Sequence, residues 1–183
     1  AMQRVLHWMA ERQEEVWVID EDDRFRSLLP AGFHFSTFSL PRGAGRAQQA
    51  LHRAGLGSLF ERTVVAKLQR IGDEFRPDIV HVHNIAMLGV ACAWAGIGPL
   101  VVSSWGALSQ SVVSPDKPLY PTTRQVVAAA DVLIVDAPAL IEPIRPMTKR
   151  NAGVEHLPMG TDTRRFCPGR TPMAQEAGIF RDP

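Results

Sequence analysis

Two histidines spaced two residues apart, His81 and His83, are the side chains whose type and spacing most readily suggest chemistry. They close an apolar run of strand length, Ile79-Val80-His81-Val82-His83, and on a strand residues i and i+2 share a face. Two imidazoles on one face could chelate a metal ion. A zinc site takes at least three protein ligands, however, and nothing around the pair suggests a third, so no metal is expected. The ordinary reading is that His81 packs and hydrogen-bonds inside the domain, while His83 and Asn84, at the strand's end, are placed to touch a ligand.

Other candidates also follow apolar runs: Ser103-Ser104-Trp105-Gly106, Asp136-Ala137-Pro138 and Met159-Gly160-Thr161-Asp162. The Trp105 ring would serve equally as a flat stacking platform or as a plug beneath its loop. Asp162 suits a ligand contact, or a cap on the following turn. Gly106 and Gly160 allow close approach of the backbone to a ligand. Lys117, Arg124 and Lys149 could engage an anion, although most such residues are simply solvated. Glu21-Asp22-Asp23 reads as a solvated loop after a strand, and Cys92 as a small core residue. Cys92 and Cys167 belong to no metal or redox motif, which makes a reduced, cytoplasmic compartment the default.

These residues need elements to hold them. Helices are expected at Met2 to Arg12, at Ser58 to Phe75, at Ala86 to Trp94 and around Thr122 to Ala130. The second is the best defined: Phe60, Val64, Leu68, Ile71 and Phe75 recur at steps of four and three, with Ser58 as a plausible N-cap. Continuous apolar runs predict strands at residues 16–19, 33–38, 79–83, 100–103, 132–135 and 154–157. Pro143 and Pro146 should shorten or kink the helix after Asp136. Short apolar strands alternating with amphipathic helices mark an α/β fold, a mostly parallel Rossmann-like sheet with helices on both faces. Ligands of such sheets bind outside the carboxyl ends of the strands. The candidate binding residues are therefore His83, Asn84, Ser104, Trp105, Gly106, Gly160, Thr161 and Asp162.

The 183 residues fit one domain, assigned to residues 1–168, with a linker at 169–183 where Pro, Gly and Thr appear without periodicity. A net charge of +1 without a basic stripe argues against a nucleic-acid partner. No apolar run approaches the roughly 18 residues of a membrane span, and a peripheral place at the inner membrane face stays open.

Four segments together resemble one family. Arg76-Pro77-Asp78-Ile79-Val80-His81-Val82-His83-Asn84 resembles the PDIVHVHN strand of group 1 (family 4) retaining glycosyltransferases. Gly98 to Gly106 is similar to that family's G-x-P-x-V-x-S-x-[HW]-G segment. Ala130 to Asp136 is similar to its ADxVIV strand, and Leu157 to Pro168 resembles its IPxGxDxxxFxP ending. The four lie in order across residues 76–168.

The resemblance implies the acceptor-side, N-terminal half of a GT-B enzyme that moves a sugar from a nucleotide-diphospho-sugar to a sugar or lipid-linked acceptor. No cofactor is expected in this half; the donor sits on a second, donor-binding domain that this chain lacks, so these residues alone should be inactive. The family's first strand and Gly-rich loop also have no counterpart here. The strands at 16–19 and 79–83 are then expected to close up, or a second chain, as in a homodimer, to fill or cap the gap. Trp105 replaces the family's common histidine, and Leu108 stands where an acidic residue is frequent. Two alternatives remain: half of a nucleotide-sugar 2-epimerase, which would need a carboxylate and a histidine placed for proton abstraction, and a stand-alone sugar- or partner-binding module without chemistry.

Overall fold

The computed structural model describes residues 2–20, 23, 26–37, 57–83, 87–104, 120–158 and 160. Helix α1 (Met2–Glu11) leads to strand β1 (Trp17–Asp20), and a single 3₁₀ turn at Arg26–Leu28 precedes β2 (His34–Thr37). Helix α2 (Gly57–Phe75) then connects to β3 (Val80–Val82). The chain continues through α3 (Met87–Ala95), β4 (Leu100–Ser104), α4 (Tyr120–Ala129) and β5 (Val132–Val135). After β5 the backbone is broken into a 3₁₀ turn, the four-residue helix α5 (Ile141–Ile144) and another 3₁₀ turn, followed by β6 (Gly153–His156). Pro143 and Pro146 lie in that interrupted stretch, as their missing N–H groups and fixed φ dictate.

The architecture is α/β with parallel sheets, Rossmann-like in its alternation of strand and helix. The strands form two sheets: β1-β2, and β3-β4-β5-β6, every pairing parallel. Burial of the larger sheet alternates with strand period. Val82, Leu100, Val102, Leu133 and Val135 are buried, while Val101, Val132 and Ile134 on the opposite row are half-buried. The buried row joins Val64 and Leu68 of α2, Val90 and Ala91 of α3, and Val126 and Val127 of α4 in one core. Helix α2 packs on α3, and α3 on α4. Helix α3 ends at Gly96, whose φ of +65° suits a residue without a Cβ. A Cβ at Gly72 would lie 2.7 Å from the Ile97 side chain, so glycine is what lets the end of α2 approach the turn after α3.

Two expectations change. Helix α2 starts at Gly57, one residue earlier than expected, which places Ser58 inside the first turn rather than at the N-cap. The strands bordering the gap do not close up: among the described residues β1 pairs with β2, β3 pairs with β4, and the sheets stay separate. Helix α2 holds each sheet by its own contacts, which explains the separation. Phe75 packs edge-on against Trp17 and His34, and Lys67 donates to the Thr37 carbonyl at 2.7 Å. Val64 and Leu68 meanwhile belong to the core of the larger sheet. Sliding β1 onto β3 would sacrifice one set or the other. Within the small sheet, Trp17 stacks on His34 at 5.2 Å and its indole N–H donates to Ser36 Oγ at 3.0 Å.

Candidate functional site

All four strands of the larger sheet run the same way, so their carboxyl ends share one edge. Register places those ends side by side: Val82 opposite Val102, Ser104 opposite Val135, and Val135 opposite His156. His83 follows β3 directly, Ser104 ends β4, Asp136 follows β5, and Gly160 lies four residues beyond the end of β6. Adjacent strands are about 4.8 Å apart, so the row from β3 to β6 extends about 14 Å. His83 and Ser104 are neighbours at one end of the row, and Gly160 belongs to the other. Among the described residues a Cβ at Gly160 would meet nothing within 4 Å. Asn84, Trp105, Gly106, Thr161 and Asp162 lie outside the described residues, as do Lys117, Cys167 and the linker at 169–183.

The two rows of each strand divide the candidates. Ser104 shares a row with Leu100 and Val102 and is only 2% exposed, so its backbone is better placed than its hydroxyl to meet anything at the edge. Ser103 points the other way, as His81 and His83 do, and its Oγ lies 2.8 Å from His81 Nε2. The rings of His81 and His83 lie 4.0 Å apart between centroids, tilted by 34°. His81 makes the expected hydrogen bond but is exposed rather than packed inside the domain; what burial its ring has lowers its pKa. His83 is brought down to about 4, first by burial and then by the neighbouring His81. Both rings are therefore neutral at pH 7, and a neutral imidazole can accept a hydrogen bond at one nitrogen and donate at the other. Of the two His83 nitrogens Nδ1 is buried, which leaves Nε2 as the one that can meet a ligand. The sequence reading places Ser103 at the end of its strand but not among the binding residues, although its parity puts the side chain on the histidines' face.

The depressed value makes the fold sensitive to acid. His83 titrates near 4 when folded against an ordinary 6.5, so between those values the unfolded chain binds more protons, and stability falls as pH drops through the window. The thermal midpoint should therefore decline from roughly pH 7 to pH 5, and His83→Asn should flatten the decline. Equal slopes for the two proteins would show that His83 is not responsible.

Two other charged candidates belong elsewhere. Lys149 pairs with Asp131 at 2.8 Å, and the other Asp131 oxygen accepts from the Leu100 N–H at 2.8 Å. The Lys149 contact first, and the Leu100 N–H second, hold that carboxyl below its ordinary value. Asp131 precedes β5, so the pair clasps the amino-end edge, opposite the candidate site. Being exposed, such a clasp contributes about 1 kcal/mol or less. Arg124 is exposed on α4 and lines an open depression of about 360 Å³ with Pro121, Gln125 and Ala128, which includes none of the strand-end residues. Cys92 is buried, and its thiol is pushed up to about 12, which leaves it inert. No group of three or more His, Cys, Asp or Glu side chains fit to hold a metal ion occurs among the described residues. Nor is any helix among them long and apolar enough to cross a membrane.

A family model described as a glycosyl transferase 4-like domain matches residues 1–160. No curated protein matches the chain.

Proposed function

Since this chain belongs to the glycosyl transferase 4-like domain family, we propose that it is the acceptor-side half of a glycosyltransferase that takes its sugar from a nucleotide-diphospho-sugar. The observation that carries this reading is the row of strand ends on one edge, with a neutral His83 beside the end of β4. In open parallel sheets that edge is where ligands bind. Glycosyl transfer builds negative charge on the leaving diphosphate. In a two-domain enzyme the facing donor domain would stabilise that charge with basic groups and a helix N-terminus. The half described here would orient the acceptor hydroxyl, contributing through positioning. The acceptor is a sugar or a lipid-linked molecule, and the working compartment is the cytoplasm or the inner membrane face.

The test uses the 183 residues alone and the same residues joined to a donor-binding domain. The joined protein should transfer sugar from a nucleotide-diphospho-sugar, and the 183 residues should transfer none. Transfer by the 183 residues alone would overturn the division of labour. As a partner we propose a second copy of the chain, capping the outer edges of β1 and β3, which pair with no further strand among the described residues. Sedimentation should then show a dimer whose fraction rises with concentration; a monomer at every concentration argues against it.

A further inference from the structure

His83 lies just beyond β3 and is half-buried. His81 and Ser103 restrict it. Ser103 is 2% exposed, and a hydroxyl so deeply buried needs a partner; His81 Nε2 supplies one at 2.8 Å. The same His81 ring lies 4.0 Å from that of His83. One chain of contacts therefore runs from the interior of β4, through the side chain of His81, to the ring at the sheet edge.

We propose that Ser103 and His81 are positioning residues for His83: the Ser103 hydroxyl holds the His81 ring, and that ring backs the His83 imidazole so that it meets a sugar hydroxyl in one orientation. What His83 meets rests on the acceptor-side reading above; how it is held rests on the contacts alone. The register shows how the chain of contacts arises. His81 is level with Val101 and Val82 with Val102, so Ser103 is one step further along β4 on the histidines' face, and His81 reaches it diagonally. The Ser103 hydroxyl can donate to His81 Nε2 or accept from it according to the tautomer, so the bond fixes where the ring points rather than which nitrogen carries the proton. Two imidazoles this close cannot both be charged without strong repulsion, and burial keeps both neutral, so the rings can stay in contact. His83 Nδ1 is buried, so an oriented, neutral His83 offers Nε2 to a hydroxyl as one defined donor or acceptor, which a freely rotating ring would do less selectively.

Imidazole nitrogen NMR on the 183-residue chain tests this without any sugar, so its outcome is independent of whether the chain takes part in transfer. The wild type should show a single set of ring signals at His81 and at His83. Ser103→Ala should give averaged ring signals at His81 and raise the His83 titration midpoint by about one pH unit. Ser103→Thr, which keeps the hydroxyl, should restore both. His81→Ala removes the backing ring and should move the His83 midpoint toward its ordinary value, with averaged ring signals. Should Ser103→Ala not fold, His81→Ala and Ser103→Thr decide the matter. Unchanged His83 signals and midpoint in a folded His81→Ala chain would overturn the proposal, as would a folded Ser103→Ala chain with wild-type His81 signals.

Discussion

Leu133→Ala is expected to cost about 3 kcal/mol of folding stability, at the level of a fully buried leucine in a core that cannot collapse around the hole. Leu133 is 0% exposed and among the largest fully buried side chains. It lies in β5 between Val102 of β4 and Val154 of β6, with the helices α2, α3 and α4 contributing to the same core. Neighbours tied into two ladders and three helices cannot relax into the space, so the loss combines transfer free energy with a cavity. Against a typical total of about 5–15 kcal/mol, this removes a large share. Ile134→Ala is the matched control, one residue along on the half-buried row, where about 1 kcal/mol is expected because part of that surface was never removed from water. Urea unfolding reads both, as a lower midpoint with an unchanged slope. Equal losses at 133 and 134 would mean that the two rows do not differ in burial as described.

The second large effect concerns activity. His83→Ala in the protein joined to its donor domain is expected to lower kcat/KM by about 100-fold, a loss typical when a reacting group is no longer held in place. If His83 only orients a bound hydroxyl, most of the loss should fall on kcat, with a smaller rise in the acceptor KM. The donor KM should hardly move if, as proposed, the donor binds on the other domain. An unchanged kcat/KM in a folded His83→Ala protein would remove His83 from the site and leave the strand-end row without its best-placed side chain.

Asp131 shows how a motif residue can be read from the sequence without its role. It stands in the Ala130-Asp131-Val132-Leu133 segment that supports the family resemblance, and the residue suggests no purpose by itself. Its oxygens accept from the Leu100 N–H and from Lys149, which ties the start of β4 to the segment ahead of β6 on the edge away from the site. Lys149, read from sequence as an optional anion contact, is thereby engaged in the clasp. Both partners are remote from Asp131 in sequence, and no local pattern announces such a bond.

Features determined by the sequence itself are the ones governed by local physics. Helix α2 could be read nearly to the residue because Val64, Leu68 and Ile71 fall at helical spacing and all three are buried. The break after β5 followed from Pro143 and Pro146, since a missing N–H acts at its own position. The strand cores at 80–82, 100–104 and 132–135 followed from apolar runs too short for helices. Tertiary structure alone decided the relations between distant segments: which strand edges pair, that β1 and β3 stay apart, that Ser103 meets His81, and that Asp131 closes the opposite edge. Periodicity reports which face of an element turns inward, because that depends on the element's own geometry. Register and edge pairing depend on what each element finds across the space between them, and only the folded chain supplies that neighbour.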